Sequence, residues 1–146
     1  MLLMMSSCGG NTPAAPEAGE GEITDIEIVA TDFAFQLSSA SIAAGEVRTT
    51  LINEGSEPHQ AGYWLLDEGI SFDDFMQQVL KDDSAIPQLS SGGRLGHMRP
   101  LSGGVRGVRP GDELAAGTYA VMCSIRDPET GKNHYELGMA AELEVR

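Results

Sequence analysis

From Ile23 onward, glycine and proline cut this chain into short runs that alternate apolar and polar residues, and a chain so divided buries itself by pairing strands. Asp25-Ile26-Glu27-Ile28 alternates strictly, and Phe33-Ala34-Phe35-Gln36-Leu37 keeps the same period. Ala44-Gly45 is a turn signal before Val47-Arg48-Thr49-Thr50-Leu51-Ile52-Asn53, a run rich in β-branched residues. Gln60 to Leu66, with Tyr63 and the single Trp64, reads as a further strand. Gly117 to Cys123 and Met139 to Val145 are two more. Several short strands between turn residues predict an all-β sandwich or barrel.

One segment has a different period. Phe72, Phe75, Met76, Val79 and Leu80 recur at spacings of three and four, the stripe of a helix. Ser71 stands at the N-cap with Asp74 three residues on. Asp73 and Asp74 suit the positive end of the helix and Lys81 the negative end. A short amphipathic helix inserted on the sandwich is expected here. Ser90 to Gly111 is rich in glycine and proline and is expected to be mostly loop, with one edge strand around Gly104–Val108.

The N-terminal end reads as an anchor and a tether. Gly9 to Glu22 has no large apolar side chain and cannot offset the entropy of ordering. Just before it, Met5-Ser6-Ser7-Cys8-Gly9-Gly10 resembles a lipoprotein processing site with Cys8 as the lipidated residue. Met1 to Met5 is too short for the apolar core of a signal peptide, so the true start is expected upstream. The division is therefore residues 1–22, signal remnant and tether, and residues 23–146, the folded domain. Lipidation of Cys8 would leave Cys123 unpaired, and an odd cysteine in an exported protein needs a role.

Charge narrows the partners. Asp and Glu number 22 against 9 Lys and Arg in 146 residues, a formal net charge of −13. That argues against nucleic acid and anionic membrane surfaces, which attract basic patches. The pairs Asp67-Glu68, Asp73-Asp74 and Asp82-Asp83 either solvate a face or steer a cationic partner. No apolar run reaches the roughly 20 residues of a membrane-spanning helix. No Ser-His-Asp set, carboxylate pair or phosphate-cradling loop stands out.

Chemistry gathers at four residues. His59 closes N-x-G-x-x-x-H from Asn53, and Cys123, His134 and Met139 form C-x10-H-x4-M. A thiolate, two imidazoles and a thioether make the His₂Cys set with a weak axial Met that binds a single copper ion for electron transfer. Cys123 ends the strand face Tyr119, Val121, Cys123, and Met139 opens the last strand. His59 follows a neighbouring turn, so all four can meet at one end of a sandwich. A Cys-His₂ zinc site with an open position is the other metal option. His97 reads as an exposed loop histidine, with a second and weaker copper contact as the alternative.

Asn53-Glu54-Gly55-Ser56-Glu57-Pro58-His59, Gly117-Thr118-Tyr119-Ala120-Val121-Met122-Cys123, Gly131-Lys132-Asn133-His134 and Gly138-Met139 together resemble the cupredoxins, the plastocyanin and azurin family, and most of all their prokaryotic lipoprotein members. The resemblance runs from about Ile23 to Val145. It implies a Greek-key β-sandwich and one type 1 copper, with His59 and His134 as imidazole ligands, Cys123 as thiolate and Met139 as axial thioether. It also implies a monomeric one-electron carrier outside the cytoplasmic membrane, lipid-anchored at Cys8, that serves redox proteins, some of them membrane-bound. The alternatives are a copper storage or delivery module and a metal-free binding module. Two departures stand out. Ten residues separate Cys123 from His134 where the family has a few, which a hairpin tip could absorb at little cost. Gln60 stands where many members have Asn, a change expected to loosen hydrogen bonding around the thiolate.

Overall fold

The structure, a computed structural model, describes residues 21–95 and 101–146. Cys8, most of the tether and His97 lie outside the described residues. Alternation in the sequence becomes burial in the fold. In β1 (Thr24–Thr31) Ile26, Ile28 and Ala30 point inward, and in β4 (Gly45–Asn53) Val47, Thr49, Leu51 and Asn53 do so. With β2 (Ala34–Leu37) and β7 (Arg106–Leu114) they form one sheet of order β2-β1-β4-β7. The second sheet has the order β3-β9-β8-β5-β6, from β3 (Ser41–Ile42), β9 (Ala140–Val145), β8 (Gly117–Met122), β5 (Gly62–Leu66) and β6 (Ser90–Leu95). Five of the eight connections between consecutive strands pass from one sheet to the other, and the architecture is the expected all-β Greek-key sandwich. β1 pairs with β4 in parallel, and β3 with β9.

The glycine-rich stretch from Ser90 to Gly111 is where expectation and structure part. The edge strand expected around Gly104–Val108 is present as the start of β7, at the edge of its sheet, but β7 runs on to Leu114 and the stretch also holds β6. β7 has no apolar signal because nearly all of its side chains face outward or are half-buried. It is a strand because its backbone completes the ladder along β4. The register slips between Val47 and Thr49, opposite Arg109–Asp112. Pro110, which has no N–H to give, and Gly111, at φ +69°, occupy that slip.

Between the sheets lies the main core, built on Ile26, Ile28, Val47, Leu51, Tyr63, Tyr119, Val121 and Leu143, with Cys123 and Met139 at one end. The Tyr63 hydroxyl meets the Thr49 hydroxyl at 2.8 Å, so the two buried polar atoms satisfy each other. The helix α1 (Phe72–Val79) lies where the periodicity places it, and Ser71 caps it by accepting from the Asp74 N–H at 3.1 Å. Phe75 and Val79 pack on Trp64, Leu66, Ala120, Met122 and Tyr135 in a second core. Leu80 falls one residue past the helix and is exposed. A 3₁₀ turn (Asp83–Ala85) and a single turn, α2 (Ile86–Leu89), lead into β6. β8 is therefore covered on both faces, by the opposite sheet and by α1.

Candidate metal centre

The N-x-G-x-x-x-H segment is a turn built on the side chain of Asn53. That side chain is fully buried, and its Nδ2 donates to the carbonyls of Glu57 and Leu101 at 2.8 and 2.7 Å. Its Oδ1 accepts from the Gly55 N–H at 2.9 Å. His59 and Leu101 then exchange backbone hydrogen bonds of 3.0 and 2.8 Å. The chain is pinned on both sides of the turn, and the His59 ring is directed inward.

Cys123 follows β8, and the segment after it returns as a hairpin. Arg126 lies opposite Asn133, and the Asp127 N–H donates to the Lys132 carbonyl at 2.7 Å. The Asp127 carboxylate accepts from the Thr130 N–H and hydroxyl at 2.9 and 2.5 Å, and those hydrogen bonds hold it below the usual carboxylate range, the hydroxyl most. At the feet of the hairpin the His134 N–H donates to Ile125 at 2.8 Å and the Tyr135 N–H to the Cys123 carbonyl at 2.9 Å. The ten intervening residues thus form a folded tip, and His134 returns beside Cys123. Next comes a 3₁₀ turn, His134–Leu137, in which Glu136 accepts from the Asn133 N–H at 2.5 Å. It ends at Gly138, whose φ of +121° favours glycine. The Met139 N–H donates to the His134 carbonyl at 3.0 Å, and the Cys123 N–H to the Met139 carbonyl at 3.1 Å.

Three donor atoms meet as a result. The Nδ1 atoms of His59 and His134 lie 3.2 Å apart, and Cys123 Sγ is 3.5 Å from His134 Nδ1. One donor atom from each of the three residues falls within 4.8 Å of the other two, and all three residues are buried. Burial pushes the Cys123 thiol up, against hydrogen bonding from the backbone N–H groups of Gln60 and Ile125 that favours the thiolate. Burial lowers His134, and the neighbouring His59 lowers it further, so the imidazole is held neutral with a lone pair to give. A soft thiol and two imidazoles converging away from water are the donor set of a tightly bound thiophilic metal ion, and these residues fit one. Met139 is fully buried in the same core.

Two residues that sequence reasoning left out complete the surroundings, both from the turn between β1 and β2. Phe33 places its half-buried ring edge-on to both imidazoles, with centroids 4.9 Å from His134 and 6.2 Å from His59. Asp32 Oδ1 lies 2.7 Å from His59 Nε2. No spacing rule links residue 32 to residue 59, so the only trace in the sequence is Gly55, where a side chain would collide with both. Gln60 donates from its side chain to the Ser124 hydroxyl at 2.8 Å, while its backbone N–H serves the sulfur. Hydrogen bonding at the thiol therefore survives the change from Asn, because the main chain supplies it.

No family model and no curated protein matches the sequence. Solved structures do match. Auracyanin A from the green thermophilic photosynthetic bacterium Chloroflexus aurantiacus, a "blue" copper protein, shares 21% identity at a TM-score of 0.55, covering 86% of this chain and 100% of its own. The dithionite-reduced auracyanin of Roseiflexus castenholzii shares 20% at 0.56, over 84% of this chain and 97% of that one. An azurin from Methylomonas sp. strain J shares 14% at 0.52, over 84% and 98%. These likenesses cover most of each chain, and the chain has the cupredoxin fold.

Proposed function

We propose that the protein is a type 1 copper protein that carries single electrons. The observation that supports this most directly is the set of buried donors: one ring nitrogen each from His59 and His134 and the Cys123 Sγ, all within 4.8 Å of one another. In this reading His59, His134 and Cys123 would hold the copper, with the Met139 thioether as a weaker fourth donor. Copper bound there supplies a one-electron couple. The chain contributes rigidity and dryness. His59 and His134 are pinned by backbone hydrogen bonds on either side, and Gln60 and Ile125 direct N–H groups at the sulfur. Donors held this way need not rearrange when the charge of the site changes by one. Phe33 packs edge-on against both imidazoles, which are themselves buried.

In the same reading the domain works outside the cytoplasmic membrane, anchored through lipid on Cys8 by the tether, and exchanges electrons with redox proteins bearing cationic docking patches. Among the described residues no helix is long and apolar enough to cross a membrane. Titration of the metal-free domain with Cu(II) tests the centre. One copper per chain and an intense thiolate-to-copper absorption band are expected, with the band lost in Cys123→Ser. Met139→Leu should keep the copper and raise the reduction potential, since losing the thioether favours Cu(I). No uptake, or uptake indifferent to Cys123→Ser, refutes the proposal. Copper lost from Met139→Leu as readily as from His134→Ala refutes the axial role.

A further inference from the structure

We infer that Asp32 is a positioning residue for this centre: its carboxylate holds the proton of His59 on Nε2, presents Nδ1 as the donor, and biases the bound metal toward its oxidised state. The inference rests on the copper reading above for its redox part and on the metal-free geometry for the rest.

The carboxylate is itself held. Oδ2 accepts from the Ser56 N–H at 2.8 Å and the Ser56 hydroxyl at 2.5 Å, and Oδ1 from the Glu57 N–H at 3.1 Å and His59 Nε2 at 2.7 Å. Asp32 thus ties the turn after β1 to the turn that delivers His59. Both oxygens already accept main-chain N–H bonds, and Oδ2 a hydroxyl as well, so the group is placed as a carboxylate acceptor toward His59. An ionised carboxylate is acceptor-only, so the imidazole nitrogen facing it must carry the proton. In a neutral ring the other nitrogen is then the lone-pair donor, and that is Nδ1, 3.2 Å from His134 Nδ1. Room for the arrangement comes from glycine. A Cβ on Gly55 would overlap Asp32 Oδ1 and lie 2.9 Å from His59 Nε2, and a Cβ on Gly103 would press into the Gly55 carbonyl.

The charge has a consequence for the metal. A copper–thiolate unit carries net +1 when oxidised and 0 when reduced. A carboxylate hydrogen-bonded to one ligand stabilises the charged form and makes that imidazole a better donor. Removing such an outer partner costs roughly 10–100-fold in metal affinity. The Asp32 side chain is 29% exposed, so solvent screens part of its charge and the low end applies.

Two measurements decide the matter. In the metal-free protein, nitrogen-15 NMR of the histidine side chains should show His59 as the Nε2–H tautomer. Asp32→Ala should yield a mixture, and Asp32→Asn, which keeps an acceptor oxygen, should restore Nε2–H. In the copper-loaded protein, Asp32→Asn should lower the preference for Cu(II) over Cu(I) about tenfold, a rise of about 59 mV in potential. An Nδ1–H tautomer in the wild type overturns the positioning role. A Cu(II)/Cu(I) preference changed by less than about twofold in a folded, copper-loaded Asp32→Asn overturns the electronic one. Failure of the wild type to take up copper defeats the proposed function and leaves the tautomer result to stand by itself.

Discussion

Gly55→Ala should destabilise this protein, although the same change at an unstrained glycine ordinarily stabilises. Gly55 is not among the glycines with positive φ, so alanine meets no backbone penalty there. The unfolded chain would lose freedom, worth about 0.4–1 kcal/mol in favour of folding. Against this, the new methyl needs the space of Asp32 Oδ1 and approaches His59 Nε2 to 2.9 Å. Asp32 must swing away, breaking its bonds to Ser56, Glu57 and His59. Hydrogen bonds to a charged group contribute about 1.5–3 kcal/mol each when buried, and less at a carboxylate partly open to solvent. A loss of about 2–3 kcal/mol for the whole clamp leaves a net cost of about 1–2 kcal/mol. Urea unfolding of the metal-free domain measures it as a lower midpoint at unchanged slope. The decisive comparison is in an Asp32→Ala background, where the carboxylate is absent and His59 can tip into its place. There the cost should shrink by about 1–2 kcal/mol, a coupling energy readable from the double-mutant cycle. A Gly55→Ala protein as stable as wild type, or a cost equal in both backgrounds, refutes the clamp.

Two further outcomes concern the cores. Burial pushes the Tyr63 phenol up to about 12, so its contribution to stability is complete below the unfolded value near 10 and is lost as pH rises through the folded one. Wild type should therefore lose up to about 3 kcal/mol across that window beyond what Tyr63→Phe loses, the variant being about 1 kcal/mol weaker at neutral pH for want of the Thr49 bond; parallel alkaline limbs would contradict this. Phe75→Ala should cost about 3–5 kcal/mol in thermal or urea unfolding, because the ring is wholly buried between α1 and β8; a change under about 1 kcal/mol would mean that the helix is not docked as described.

What the sequence disclosed follows from which forces leave a periodic mark. β2, β4, β5, β8 and β9 were legible within a residue or two, and β1 in its first half, because one face of each packs into a core. α1 was legible for the same reason, with its cap written in Ser71. β3 is too short to show a period, and β6 and β7 are held by main-chain pairing, which any residue except proline can supply. At the metal centre, His59, Cys123 and His134 were legible because donor chemistry restricts residue type, and the structure brings those three together. Asp32 and Phe33 were not, because an aspartate in a turn and a phenylalanine beginning a strand are ordinary in themselves. Their meaning comes from the fold that carries them to His59.

The hairpin between Ile125 and His134 separates two properties that a minimal loop would join. Its feet are tied to Cys123 and to the 3₁₀ turn, while Pro128, Glu129, Thr130, Gly131 and Lys132 are exposed at its tip. Lengthening or recolouring that tip costs little closure entropy and leaves the donor atoms where the feet put them. Such a chain can change the face it shows to other molecules near its centre while keeping the geometry of the donors fixed. The surface at the tip and the donor geometry at the feet are thereby free to diverge on separate schedules.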